Sequence, residues 1–351
     1  MQGTPTTTLI LRLSSIGDVV LATPLLRAMR RAFPAASIDF LVKPEYAALL
    51  RENPHLTRVI PFPGGGIRDL LRLRRSIRER RYDLIVDIHD SIRSRILTLG
   101  LPRVVRYRKR RLERFFLVRF KKDLYGPDGA TGVAERYAEP LRSLGVVLDG
   151  EGPEIPVSAP AAARAAELLA RAGLPAGATA LGVCPSARHA TKIWPADRFA
   201  AAAAELAAER GWSVILFGSA AERPSAETIA LAVRSAAPGV TVVNMAGALT
   251  LDETAAAMDR CGTVLSNDTG LMHIAAARRR PLVAVFGCTT RQLGFFPGGG
   301  GSTVVENTDL SCRPCTAIGR SSCPRGHFRC MNEIPVERVV FAARTLTAPA
   351  R

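Results

Sequence analysis

Short apolar runs alternate along the chain with stretches whose apolar residues fall at helical spacing. Residues 7–13 form the first run. Ser14, Ser15, Gly17 and Asp18 break it, and Leu21, Leu25, Leu26 and Met29 then share one helical face. Residues 37–42, 58–61 and 83–89 predict three more strands with helical stretches between them, and 131–145 predicts a helix ending at Gly145. A turn-rich segment at 149–156 and an alanine-rich helix after Pro160 follow. The series then restarts with strands at 179–184, 213–217, 241–243, 263–265 and 281–286 and helices after Pro195, Ala220 and Leu251. Repeated βα units bury their strands on both faces of a parallel sheet, so the expected class is α/β with two Rossmann-like domains facing a central cleft. The boundary falls within 150–176: residues 1–158 form the first domain, 159–335 the second, and 336–351 a helix or tail packing back on the first.

Residues 262–275 carry the most informative pattern. Val264 and Leu265 lead into the small polar residues Ser266 to Gly270, and helical spacing follows, which predicts strand, tight turn and helix start. Asp268 or Thr269 is placed to cap that helix. The turn also leaves backbone N–H groups at the positive end of a helix dipole, and Gly270 has no side chain to keep an anion away. A phosphate pocket and an ordinary well-capped turn are both consistent with this.

Composition narrows the picture. The chain has 351 residues, 47% of them hydrophobic, enough for two cores. Its formal charge is 48 − 31 = +17, with much of the surplus in 68–122, and clustered charge of this kind implies an anionic partner. No apolar run reaches the roughly 18–20 residues of a membrane span, and no basic region with an apolar core opens the sequence, so a cytoplasmic location is expected. Residues 103–122 place ten basic residues around Phe115, Phe116, Leu117, Val118 and Phe120. That pattern suits a membrane-surface segment, with buried aromatics under a solvated arginine face as the alternative. Single-stranded RNA would suit it too, but no RNA-binding module accompanies it.

Three further positions could carry chemistry. Asp18 lies where the first strand hands over to its helix, the edge where open α/β sheets bind ligands, and is placed either for general-base work or for helix capping. The loop from Pro185 to Pro195 holds Arg188 and Lys192, which would stabilise a departing diphosphate without a metal or simply keep the loop soluble. Glu222 follows the glycine turn at 217–219, where it would accept from a ribose diol or favour a first helical turn.

Taken in order, Ser14–Ser–Ile–Gly–Asp–Val–Val–Leu–Ala–Thr–Pro24, Lys192–Ile–Trp–Pro195 and Ser266–Asn–Asp–Thr–Gly–Leu–Met–His273 resemble family 9 glycosyltransferases, specifically the ADP-heptose:lipopolysaccharide heptosyltransferases. The resemblance spans nearly the whole chain. It implies a GT-B fold, an acceptor-binding first domain, an ADP-sugar-binding second domain, and inverting transfer of heptose to the lipopolysaccharide inner core. By position it implies Asp18 as the base, Lys192 as the donor-loop lysine, Glu222 on the ribose and Asp268 on the heptose. Thr269 and Gly270 correspond to amides on the phosphates, His273 closes that motif, and Met245 and Ser186 fall near donor-contacting positions.

The expected partners are then ADP-heptose, an anionic Kdo-containing lipid-linked acceptor and the inner face of the inner membrane, with no specific nucleic acid. Arg106, Arg108, Lys109, Arg110 and Arg111 are the candidates for acceptor or membrane contact. The transfer itself should need no cofactor.

Of seven cysteines, Cys184, Cys261 and Cys288 sit in or beside apolar runs and read as buried thiols. Cys312, Cys315, Cys323 and Cys330 form C-x2-C-x7-C-x6-C, with His327 in the last interval. The first pair has zinc-knuckle spacing and the second does not, so structural zinc, a redox or disulfide role and packed free thiols all remain open. The cysteines together with Gly326–His–Phe328 resemble the tail of the second heptosyltransferase type.

Overall fold

The computed structural model describes residues 4–62, 64–126, 131–298 and 300–346. The chain divides into two compact units, one of residues 1–110 and 133–156 and the other of 111–132 and 157–351.

The first unit is built on a five-stranded parallel sheet of β1 (Thr7–Leu11), β2 (Ser37–Val42), β3 (Arg58–Pro61), β4 (Leu84–Asp87) and β5 (Val104–Arg106), in the order β3-β2-β1-β4-β5. The strand order reverses between β1 and β4, where open α/β sheets place their ligand crevice. Leu9, Leu11, Leu41 and Ile85 fill one face with Leu70, Ile77 and Leu97 from the covering helices. Burial on both faces explains why β1 and β4 read as continuous apolar runs rather than alternating ones. The expected helix at 131–145 is a short α-helix, Val133–Ala138, continued as a 3-10 turn, Glu139–Leu144, that ends on Gly145 in the left-handed region. Pro140 lacks the amide hydrogen that an α-helical ladder would use there.

The second unit holds a six-stranded parallel sheet of β6 (Ala180–Cys184), β7 (Ser213–Leu216), β8 (Val242–Asn244), β9 (Cys261–Asn267), β10 (Leu282–Phe286) and β11 (Ser302–Glu306), ordered β11-β10-β9-β6-β7-β8. Here the order reverses between β9 and β6. The alanine-rich helix Ala196–Arg210 lies over this sheet, its small buried residues allowing close packing beside Trp194 and Phe199. The C-terminal helix Val336–Thr345 packs on helix Ala196–Arg210 and on β10 and β11, within this unit.

The basic segment 103–122 is divided. Its start is edge strand β5 of the first sheet, whereas helix Arg111–Phe120 belongs to the second unit. There Leu117 is buried with Tyr125 and Leu293. Leu112, Phe115 and Phe120 stay more than half exposed, so the segment is neither a wholly packed aromatic cluster nor a wholly solvated one. No described helix is long and apolar enough to cross a membrane.

Candidate functional site

Two strand-to-helix turns at the sheet reversal points gather most of the singled-out residues. In the first unit, β1 runs through Arg12 and Leu13 into helix Ile16–Val20. Asp18 reaches back over that helix's first turn, and its Oδ2 accepts hydrogen bonds from the Ser15 N–H at 3.1 Å and the Ser15 hydroxyl at 2.9 Å. Its Oδ1 takes the Arg12 guanidinium at 2.6 Å and the Tyr137 hydroxyl at 3.0 Å. The capping alternative is therefore realised, yet two further donors hold the same carboxylate. Burial alone pushes this carboxyl up, but Arg12 and the Ser15 donors outweigh it and keep it below the usual carboxylate range.

Arg12 is fixed in turn, donating to the carbonyls of Ser14 and Ile88 at 2.7 Å each and lying over the Tyr137 ring. Burial and the nearby Asp18 push the Tyr137 phenol well up, so it stays a neutral donor. His89 follows β4, and its Nδ1 is buried without a hydrogen-bond partner. Burial, then Arg12 and Lys109, depress its imidazole to about 4, leaving it neutral near pH 7. Arg12, Tyr137 and His89 were not singled out from sequence. Tyr137 is 119 residues from Asp18, and no local pattern marks such a pairing.

In the second unit the turn after β9 is built differently. Thr269 occupies the N-cap of helix Gly270–Ala277, but its hydroxyl makes no capping hydrogen bond. Asp268 does not cap either. Its Oδ2 pairs with the Lys192 ammonium at 2.6 Å and accepts from the Thr289 hydroxyl at 2.7 Å, both side chains of the pair being nearly buried. The expected side-chain cap is thus absent, because a buried cation competes better for the carboxylate than a backbone amide does. Ser186 is half-buried in the loop after β6, Lys192 ends a 3-10 turn, Ala190–Lys192, and His273 is buried in the first turn after the cap.

Asn267 joins the two loops. Its side-chain amide donates to Pro185 O at 2.6 Å and its Oδ1 accepts from the Trp194 N–H at 3.0 Å. Trp194 is fully buried and donates its indole N–H to Ile334 O at 3.1 Å. These contacts hold both ends of the loop that carries Lys192. The Asn within the Ser266–His273 motif was the available signal for this positioning role.

Beside them, β7 and β8 present the Glu222 and Met245 region. Glu222 Oε2 accepts from the Ser219 N–H at 2.7 Å and hydroxyl at 2.9 Å, as Asp18 does with Ser15. Met245 is buried directly after β8. Gly247, at φ +74, brings its backbone against Ala220, where a Cβ would stand 2.5 Å from the Ala220 Cα, so this turn requires glycine.

Among the basic candidates, Arg106 donates to the Thr98 hydroxyl, Lys109 to Asp90 O, and Arg110 pairs with Glu139. Arg108 and Arg111 are exposed. Cys312, Cys315, Cys323 and Cys330 line one cavity of the second unit, although among the described residues no three Cys, His, Asp or Glu side chains are gathered for a metal ion.

The model of the family described as Glycosyltransferase family 9 (heptosyltransferase) matches residues 70–323. The chain belongs to glycosyltransferase family 9. It is an enzyme of glycosyl transfer with the GT-B arrangement of two Rossmann-like units. It is 31% identical over 303 residues to lipooligosaccharide heptosyltransferase 2 of Haemophilus influenzae, covering 81% of this chain and 84% of that one. To lipopolysaccharide heptosyltransferase 1 of Pseudomonas aeruginosa it is 29% identical over 322 residues, covering 88% and 85%. Among solved structures, a family 9 glycosyl transferase from Veillonella parvula matches with TM-score 0.79 at 22% identity, covering 97% of this chain and 96% of that one. The ADP-heptose lipopolysaccharide heptosyltransferase II of E. coli matches with TM-score 0.73 at 24% identity, covering 96% and 97%. Both share this family 9 enzyme's fold.

Proposed function

We propose that the chain is an inverting transferase moving L-glycero-D-manno-heptose from ADP-heptose to the lipopolysaccharide inner core, of the heptosyltransferase II type, with Asp18 as general base. The observation that carries this is the contrast between the two turns: one holds a fixed carboxylate, the other an uncapped helix N-terminus beside a lysine. Transfer from a glycosyl diphosphate needs both, a proton acceptor for the incoming hydroxyl and positive charge for departing ADP.

Asp18 is ionised at neutral pH, and Arg12 and Tyr137 hold it in one orientation. The acceptor hydroxyl would donate to it as a further hydrogen bond while its oxygen attacks the anomeric carbon. Thr269 and Gly270 amides and Lys192 would take the diphosphate. Lys192 already pairs with Asp268, so an arriving phosphate shares that ammonium, and Asp268 is then partly released toward the heptose hydroxyls. Glu222 and Met245 would take the ribose and adenine, with Ser186 and His273 as further donor contacts. No cofactor enters this scheme.

The acceptor type rests on the C-terminal cysteine pattern, since relatives of heptosyltransferase types 1 and 2 resemble the chain to similar degrees. Arg108 and Arg111, with exposed Leu112, Phe115 and Phe120, support contact with an anionic membrane or acceptor on the cytoplasmic face. A domain division at 158 would give the first domain the acceptor and the second the donor.

The test is transfer with ADP-heptose and heptose-deficient core as substrates, with product mass read directly. Addition of one heptose supports the assignment. Turnover only with another nucleotide sugar would point to a different family 9 activity, and ADP binding without turnover on any acceptor to a non-catalytic binding protein.

A further inference from the structure

Five of the seven cysteines, Cys288, Cys312, Cys315, Cys323 and Cys330, line a single cavity of about 260 Å³ together with His327. Two pairs stand out within it. Cys312 Sγ lies 4.0 Å from His327 Nε2, and the Cys315 N–H donates to Cys288 O at 3.3 Å, which sets those two residues side by side. In a tetrahedral site with Zn–S near 2.3 Å and Zn–N near 2.0 Å, adjacent ligand atoms stand about 3.5–3.8 Å apart. The Cys312–His327 pair is close to such an edge. Cys312 belongs to the first pair and Cys315 to the second, and together they form the C-x2-C chelate.

The cavity wall also supplies charge. Arg119, Lys121, Arg320 and Arg325 line it, and Lys121 is fixed by donation to Pro314 O at 2.6 Å. Three thiolates around a divalent ion leave net negative charge, which such cations offset at short range. The thiols are not yet gathered around one point. Bringing the two pairs together requires side-chain rotation within the cavity.

We propose that this cavity binds one thiophilic divalent cation of the zinc class, held by Cys312 and Cys315 and closed by Cys288 and His327. The site lies behind the donor loop. Thr191 donates its N–H and hydroxyl to Arg320 O, and the Arg320 N–H returns to the Thr191 hydroxyl at 2.9 Å, one residue before Lys192. Gly319, at φ +116, packs against His189 so closely that a Cβ would fall 2.5 Å from the His189 Cβ. Cys288 precedes Thr289, which holds Asp268. A bound cation would therefore brace the loops on which the Lys192–Asp268 pair stands. This inference is independent of the sugar or acceptor used.

The experiment is metal analysis of the full chain purified without chelating resin, followed by cobalt titration of chelator-treated protein. About one equivalent of zinc is expected, with cobalt giving thiolate charge-transfer and tetrahedral ligand-field bands. Cys312→Ser/Cys315→Ser should lose both signals, and Cys288→Ala/His327→Ala should weaken them strongly. If the serine variant does not fold, the wild-type titration decides alone. A wild-type chain with no zinc and no tetrahedral cobalt spectrum overturns the proposal, as does an intact mass two daltons light that reveals a disulfide. Metal loss in Cys323→Ser/Cys330→Ser but not in Cys288→Ala/His327→Ala overturns the ligand set.

Discussion

The turns after β1 and β9 stand at equivalent places, each following a strand at the point where its sheet reverses order. They differ in where the acid goes. Asp18 folds back on its own helix, covering the Ser15 N–H and placing negative charge at the helix N-terminus. Asp268 turns away to Lys192, leaving the N-terminus of helix Gly270–Ala277 without a side-chain cap. An anion is repelled by the first arrangement and attracted by the second. Under the proposed function, one scaffold yields a base site and a phosphate site through the side-chain direction of a single carboxylate.

The sharpest way to break this comparison is Asp18→Asn, which keeps the shape and removes the charge. It should lower kcat by about 10²–10⁴-fold in a transfer assay, and near-normal turnover would remove Asp18 from the chemistry. Next, Lys192→Ala should weaken ADP binding by roughly 10–100-fold, the loss of one charge-assisted contact. An unchanged Kd by calorimetry would leave the helix N-terminus as the main phosphate ligand. Asp268→Asn separates the two functions of its turn. It releases Lys192, so ADP should bind as tightly as before or tighter, while kcat/KM for ADP-heptose falls.

Tyr137→Phe sharpens the other side. It removes one donor from Asp18 Oδ1, so the carboxyl rises and the acid limb of the kcat/KM profile moves to higher pH, with a loss of about three- to tenfold at its optimum. A purely structural role for Tyr137 would lower Tm and leave that limb in place. The smallest effect concerns His89. Because the folded state depresses its imidazole to about 4 from an ordinary 6.5, the unfolded chain binds more protons between those values. Stability should be full above pH 6.5, decline as pH falls toward 4 and level off below. His89→Gln should flatten that part of the Tm–pH curve, a change of order a few degrees.

Much of this was legible in the apolar pattern. Strands at 37–42 and 58–61 form with the expected bounds, marked by Ile38, Phe40, Leu41 and Val42 in the first and by Val59 and Ile60 ahead of Pro61 in the second. Strands β5 and β11 were missed: β5 is a short edge strand inside a run of arginines, and β11 follows a glycine-rich stretch. Asp18, Lys192 and Asp268 stand out as candidates because spaced motifs carry them. Their partnerships were not legible. Tyr137 meets Asp18 and Thr289 meets Asp268 only through tertiary folding, and the direction of an acid at a helix start depends on whether a buried cation is nearby. The course of the basic segment was not legible either, as composition cannot show that a chain passes from one unit to the other between Arg110 and Arg111.

ADP calorimetry on Asp18→Asn tests the division of labour most directly. The two-turn account predicts a Kd equal to that of the wild type despite the loss of turnover, because the phosphate site belongs to the other turn. ADP affinity that collapses together with turnover would contradict it.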